Sequence, residues 1–231
     1  MRAEVKHLDY VHPNPLAEYL EESTYDVVFQ AISKYVSRGS RVLDVGCGRG
    51  ELLKRLSENG YVAYGCDMDE RLVEMAGAYG EVQKLTVEEI SPDKFDGKFD
   101  CVLVSHVLEH VENPREAVRR LSSVSDGLMV ISVPNAYYLP HIVRSLFRRE
   151  IFYVNTGHLQ NWDWYHFKTF MEVGCDQDVL EWFYDTVPIP VLGSLRAPLN
   201  EMGLLSMIEN GLLKTAFPRF CRSITAVTRT G

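Results

Sequence analysis

The stretch Asp44-Val45-Gly46-Cys47-Gly48-Arg49-Gly50, with a further carboxylate at Asp67, groups residue types that could hold a small charged ligand built on a nucleoside. Three glycines at a spacing of two let the backbone turn sharply and let a ligand lie against it with no Cβ in the way. Asp67 follows a second apolar stretch, Tyr61 to Cys66. Its carboxylate is then delivered to a strand tip, where it can accept hydrogen bonds from both ribose hydroxyls. The spacing discriminates among nucleotides. A dinucleotide fingerprint, G-x-G-x-x-G counted from Gly46, needs glycine at position 51, and Glu51 stands there. Asp44 in front of the loop would repel a pyrophosphate, whereas ammonium and sulfonium charges would suit it.

The elements that must position these residues follow from hydrophobic periodicity. Arg41 to Val45 is a short apolar strand, and a helix over 51–59 follows, with Leu52, Leu53 and Leu56 on one side and Gly60 as its stop. A strand over 61–66, a helix over 70–78 capped by Asp69 and a weak strand over 82–85 come next; 86–98 reads as polar loop. Phe99 to Ser105 is a strong strand, Asn113-Pro114 opens a helix to about Ser122, and Gly127 to Val133 is a fifth strand stopped by Pro134. Aromatics crowd 137–165, including Tyr137, Tyr138, Phe147, Phe152, Tyr153, Trp162, Trp164 and Tyr165. A helix over 163–173, a strand over 178–184, a helical patch near 200–213 and a final strand from Cys221 to Thr228 complete the pattern. At the other end, residues 1–22 read as an arm, and Ser23 with Asp26 signals a helix to about Val36. That helix shares Val28, Ala31, Ile32 and Tyr35 on one face and is expected to pack under the sheet near the ligand. Near-continuous apolar strands joined by helical crossovers predict an α/β protein whose parallel sheet is covered on both faces.

A chain of 231 residues with 46% hydrophobic content suits one such domain, with or without a modest insertion. No apolar run approaches the roughly 20 residues that span a bilayer, and Met1 to His7 lacks the apolar core of a signal peptide. Five cysteines with no C-x-x-C pair read as reduced, intracellular and without a zinc site, and no His/Asp cluster has metal-ligand spacing, so a cytoplasmic protein with no metal is expected. With 24 basic and 32 acidic residues the net charge is -8, which disfavours nucleic acid as a partner. A local patch at Arg144, Arg148 and Arg149 runs against that trend and could meet a tRNA or an acidic metabolite.

The acidic glycine loop with Asp67 resembles the class I S-adenosylmethionine-dependent methyltransferases, in which such a loop holds the methionine part of the cofactor. The segment Ser105-His106-Val107-Leu108-Glu109-His110-Val111 resembles the signature after the fourth strand of small-molecule members. Ser132-Val133-Pro134-Asn135 and His158-Leu159, ahead of a helix ending at Gly174, are similar to the subgroup of MetW-like proteins and quinone-ring O-methyltransferases. The resemblance covers about 40 to 230. It implies a Rossmann-like seven-stranded, mostly parallel sheet with helices on both faces and an antiparallel last strand. It divides the chain into an arm and capping helix over 1–38 and a methyltransferase domain over 39–231. Within the latter, 137–165 would serve as an acceptor-site or lid segment and 185–218 as an insertion.

The same resemblance implies S-adenosyl-L-methionine as cofactor and assigns roles. Gly46, Cys47, Gly48 and Gly50 would let the backbone approach it, Asp44 would serve the ammonium, Asp67 the ribose and Met68 the adenine face. Family members often place an aspartate after the third strand for the adenine amino group; here Thr86 and Val87 fall at that point, with Glu88 as a substitute acceptor. Ser105 and His106 would lie beside the methionine end. The sulfonium is an activated donor, so the protein chiefly aligns donor and acceptor; for a hydroxyl acceptor, His106, His110 and His158 are the candidate bases. The expected reaction is methyl transfer to a small-molecule oxygen, nitrogen or carbon. A binding or regulatory protein on the same fold, MetW-like, is the alternative, with a protein partner or homodimer; an RNA or protein methyltransferase ranks behind both.

Overall fold

Short apolar strands alternating with amphipathic helices assemble one seven-stranded sheet, seen in a computed structural model that describes residues 15–148, 157–189 and 203–229. The strands are β1 (Arg41–Val45), β2 (Val62–Asp67), β3 (Glu81–Lys84), β4 (Phe99–Ser105), β5 (Ser125–Pro134), β6 (Asp178–Tyr184) and β7 (Ser223–Arg229). Their order is β3-β2-β1-β4-β5-β7-β6. β1 to β5 pair in parallel, and β7 runs antiparallel between β5 and β6. The chain therefore reverses its winding between β1 and β4, and their carboxyl ends flank the crevice where open α/β sheets bind ligands.

Both faces are buried, as the uninterrupted apolar strands require. Val102 and Val104 of β4 point into one core with Ala117, Val118 and Leu121 of helix α4 (Pro114–Val124) and Phe167 of helix α6 (Trp164–Thr169). The alternate residues Cys101 and Leu103 point into the other. There they meet Val28, Ala31 and Ile32 of helix α1 (Pro15–Tyr35) and Leu52, Leu53 and Leu56 of helix α2 (Glu51–Glu58). Burying a leucine of this kind stabilises by about 1.5–3 kcal/mol. Helix α3 (Glu70–Ala76) is capped by the Asp69 side chain, which accepts from Arg71 N, and helix α5 (Leu139–Arg148) follows β5.

Several boundaries differ from expectation. α1 starts at Pro15, so the stretch read as an arm over 1–22 is helical from 15 onward. Proline fits a first turn because its missing N–H has no helical partner there anyway. Ser23 is thus inside the helix, and its hydroxyl accepts from Thr186 N at 3.2 Å instead of capping. β5 begins at Ser125, paired with Phe99, ahead of Gly127. The loop over 86–98 carries two short tight turns, Val87–Glu89 and Pro92–Lys94. The helical patch expected near 200–213 is a run α7 of three joined pieces, Leu204–Ser206, Met207–Leu213 and Lys214–Ala216. Among the described residues no helix is long and apolar enough to cross a membrane.

Candidate functional site

The glycine loop is clipped to the end of β2. Gly46 N and Cys47 N both donate to Cys66 O, at 2.8 and 3.0 Å, and Gly50 N donates to Cys47 O at 2.9 Å. Gly46 has φ 76, which L side chains rarely adopt, and a Cβ there would lie 2.4 Å from Val107 Cγ2. Glycine is required at that point on both counts. The same contact shows that the loop after β1 packs directly on the loop after β4. At Gly48 an added Cβ would meet nothing within 4 Å, so the chain leaves open space there.

Asp67 stands at the tip of β2 and is 8% exposed. One carboxylate oxygen accepts from Gly48 N at 3.0 Å and the other from Asp69 N at 2.9 Å. Each oxygen keeps a second lone pair, so bracing the loop does not exhaust its capacity to accept. Met68, next along, is 56% exposed instead of joining the core. Asp44 is 2% exposed within β1. Burial, reinforced by the negative charges of Asp67 and Glu51, pushes its carboxyl up to about 8. A cation beside it would favour the ionised form.

Two residues expected at the adenine end have structural duties. Thr86 closes a capping box, its N–H donating to the Glu89 carboxylate at 2.8 Å. Val87 is 7% exposed and packs in the core beside Ile90. Glu88 is exposed.

Beyond β4, His106 adopts φ 57, the left-handed region, where a non-glycine residue costs on the order of 1–3 kcal/mol and needs surrounding structure to hold it. Its N–H donates to Ser132 O at 2.9 Å, and Nε2 lies 2.9 Å from Ser223 Oγ. Ser223 Oγ is 3.3 Å from Thr24 Oγ1, which donates to Asp185 Oδ2 at 2.9 Å; Ser223 N donates to Asp185 Oδ1 at 2.9 Å. Thr24 gives its hydrogen to Asp185, and the Ser223 hydroxyl links this pair to His106 Nε2 in a direction set by the histidine tautomer. Burial, with the nearby Arg222, His158 and His110, lowers His106 to about 3. His106 is thus a neutral hydrogen-bonding group and a poor proton acceptor.

The tight turn Leu108–His110 places Glu109 and His110 against residues 157–160. His110 N donates to Val107 O at 2.9 Å. Its Nδ1 lies 2.8 Å from Gly157 O, and the rings of His110 and His158 meet edge-on with centroids 4.9 Å apart. Leu159 N and Gln160 N donate to Glu109 O at 2.7 and 3.1 Å. The Glu109 side chain is 1% exposed, and burial pushes it up to about 8. Burial, then the neighbouring His110, lowers His158 to about 4.

The aromatic stretch divides between packing and surface. Trp162 is 7% exposed and packs on Phe167 and Phe170, with centroids at 5.8 and 4.6 Å. Tyr138 is also buried, whereas Tyr137 and Tyr165 are exposed. Asn135, 3% exposed, ties this stretch to the turn before β7: its amide donates to Arg219 O and Cys221 O at 2.8 and 2.9 Å. Phe152, Tyr153 and Arg149 lie outside the described residues, and the side chains of Arg144, Phe147 and Arg148 lie outside the described ones as well.

A family model described as a methyltransferase domain matches residues 16–175, and the chain belongs to that family. It is 32% identical over 139 residues to a protein of Geobacillus sp. (strain WCH70) named as a methyltransferase, covering 53% of this chain and 56% of that one. It is 36% identical over 100 residues to the ubiquinone biosynthesis O-methyltransferase of Dechloromonas aromatica, covering 40% and 41%, and 33% identical over 92 residues to that of Coxiella burnetii, covering 38% and 39%. The chain thus spans about half or less of the length of these relatives. Among solved structures, magnesium protoporphyrin IX methyltransferase from Synechocystis PCC 6803 superposes with a TM-score of 0.63 at 17% identity, over 95% of this chain and 89% of that one. A SAM-dependent methyltransferase from Archaeoglobus fulgidus gives 0.59 at 22% identity, over 94% and 100%. Fold and family together are those of the class I S-adenosylmethionine-dependent methyltransferases, whose cofactor is S-adenosylmethionine.

Proposed function

We propose that this chain transfers the methyl group of S-adenosylmethionine to a hydroxyl-bearing small molecule. The observation that carries the cofactor site is Asp67, held at the β2 tip by Gly48 N and Asp69 N with acceptor capacity to spare. Open space above Gly48, exposed Met68 and buried Asp44 fit a ligand with a ribose, an adenine and an ammonium group. When bound, the cofactor supplies an activated methyl group on a sulfonium. Gly48 admits its approach to the backbone, Gly46, Cys47 and Gly50 shape the loop by packing on Val107, the core and Ala76, and Asp44 balances positive charge. Ser105 and His106, at the end of β4, border the reacting region.

The acceptor is expected beyond β4, against His106, His110, His158 and the segment 137–165. Among the three histidines His106 serves best as a positioning donor or acceptor because burial keeps it neutral. His110 Nδ1 faces a carbonyl, which can only accept, so Nδ1 carries the proton and Nε2 presents a lone pair for an acceptor hydroxyl. Similarity to proteins named ubiquinone biosynthesis O-methyltransferase supports oxygen as the acceptor atom, and the net charge of -8 weighs against nucleic acid.

The test is methyl transfer from methyl-labelled S-adenosylmethionine to a panel of phenolic and carboxylated acceptors. Label in the small-molecule fraction, with production of S-adenosylhomocysteine, supports the reading. Cofactor binding with no transfer to any acceptor, and a co-purifying protein, would replace it by the MetW-like regulatory role, which the occupied Thr86 cap favours. Labelled RNA or protein would replace it by the macromolecular one.

A further inference from the structure

His106 ends a line of buried hydroxyls that leads to a buried carboxylate. Its Nε2 lies 2.9 Å from Ser223 Oγ, Ser223 Oγ lies 3.3 Å from Thr24 Oγ1, and Thr24 Oγ1 lies 2.9 Å from Asp185 Oδ2. Thr24, Asp185 and Ser223 are each no more than 3% exposed. Thr24 comes from α1, His106 follows β4, Asp185 follows β6 and Ser223 opens β7, so only the folded chain aligns them. At the outer end of the line, His106 Nδ1 has no hydrogen-bond partner among the described residues. It is not one of their buried unpaired polar atoms either, so it opens away from the network. The residue is held at φ 57, a strained conformation of the kind that clusters at functional sites.

We propose that these four residues form a proton relay, which takes the proton of the acceptor hydroxyl at His106 Nδ1 and passes it through Ser223 and Thr24 to Asp185. The role rests on the methyl-transfer reading above. It requires the tautomer of His106 with its proton on Nε2, and Ser223 donating to Thr24. On methylation the acceptor oxygen forms its bond to carbon, the carbon–sulfur electron pair leaves with sulfur, and the hydroxyl proton bonds to the Nδ1 lone pair. The Nε2 proton moves to Ser223 Oγ, the Ser223 proton to Thr24 Oγ1 and the Thr24 proton to Asp185 Oδ2. One carboxylate becomes a carboxylic acid, and His106 changes tautomer without becoming a cation. A histidine lowered to about 3 cannot hold a second proton, and this route never asks it to. After the product leaves, Nδ1 gives its proton to water and the line runs backward, restoring the Nε2 proton and the carboxylate. Burial favours the neutral carboxyl and raises Asp185 to about 6, opposed by the bonds from Ser223 and Thr24 and by the charge of Arg222. Cys221 faces it from the approach to β7, and His106, with His110 and His158 behind it, from beyond β4. Asp185 is therefore ionised at neutral pH and still close to the value at which it accepts a proton. His110 is left to orient the hydroxyl.

The experiment has two parts, both on the full-length protein. In the first, nitrogen-15 NMR of the histidine side chains reads which ring nitrogen of His106 holds the proton between about pH 5 and pH 8, with the signal assigned by its loss in His106→Gln. A proton on Nε2 is expected in the native protein and in Thr24→Ser, and a mixture of tautomers in Thr24→Val. In the second, kcat, KM and S-adenosylhomocysteine affinity are followed against pH with a phenol that the native protein methylates. Native kcat should fall as pH drops through about 6, because Asp185 then already holds a proton. Thr24→Val and Asp185→Asn should lower kcat roughly tenfold or more and lose that limb, with KM and affinity changed by less than about twofold. Thr24→Ser should keep both. Thr24→Val retains the carboxylate and decides the matter if Asp185→Asn does not fold. A proton on Nδ1 in the native protein, or a Thr24→Val variant as active as Thr24→Ser with the limb intact, overturns the relay. If the native protein methylates no acceptor, the methyl-transfer reading and the relay's role fall together, and a proton on Nε2 would then show that the chemistry, not the hydrogen-bonded line, had failed.

Discussion

The crevice between β1 and β4 has two sides assembled by different means. The glycine-loop side comes from one stretch, Asp44 to Asp67, in which strand, turn, helix and strand succeed one another, and its contacts are short in sequence: Gly48 N reaches Asp67 across 19 residues. The histidine side is drawn from remote segments. His106 is held by Ser223 across 117 residues, Thr24 reaches Asp185 across 161, and His110 meets Gly157 across 47. A site coded by adjacent residues tolerates changes elsewhere in the chain. A site assembled from four segments depends on the packing that brings them together, and its specificity can be altered from any of them.

Changes on the glycine-loop side should have the largest effects. Gly46→Val would place a branched side chain into Val107 Cγ2 and at φ 76. It should cost about 3 kcal/mol or more of stability and abolish cofactor binding, checked by denaturant unfolding and titration with S-adenosylhomocysteine. Next is Asp67→Ala, which removes two loop-bracing bonds and the ribose acceptor; loss of charge-assisted hydrogen bonds worth about 1.5–3 kcal/mol each predicts at least a 30-fold weaker complex. If Asp67→Ala binds normally, the glycine-loop side is not the cofactor site.

Smaller effects are expected across the crevice. Ser223→Ala unties His106 and should cost about 1–2 kcal/mol of stability, with kcat for the right acceptor falling more than cofactor affinity. Equal losses in both would erase the division between the two sides.

Asp44 adds a pH dependence that Asp44→Asn should remove. The Asp44 carboxyl rises from an ordinary value near 3.8 to about 8, so the folded state holds a proton that the unfolded state releases over that range. This group's contribution is therefore full at low pH and declines as pH rises from about 4 to about 8. In the ligand-free protein Asp44→Asn should flatten that decline, seen as melting temperature against pH, while weakening S-adenosylhomocysteine binding. A variant with an unchanged slope would show that Asp44 is not the titrating group.

What the sequence made legible follows the same division. The strands β1, β2 and β4, the glycine loop and Asp67 were readable because their signals are local periodicity and glycine spacing. The face of α1 was readable too, but its start was not: Ser23 looks like a cap, yet its hydroxyl is taken by Thr186 N. Thr86 and Val87 were placed at the cofactor by position alone, and the capping box and core burial they also serve had no signal in the sequence. Ser223, Thr24 and Asp185 carried no signal, because a serine in a closing strand acquires meaning only when β7 inserts beside β5. The aromatic stretch read as an acceptor wall is partly core, since Trp162 and Tyr138 are buried.

The most direct test of the account is calorimetric titration of the native protein with S-adenosylhomocysteine beside Asp67→Ala. Micromolar binding at one site per chain, lost in a variant that still folds, is the predicted result. Absence of binding by the native protein, or equal binding by the variant, would contradict it.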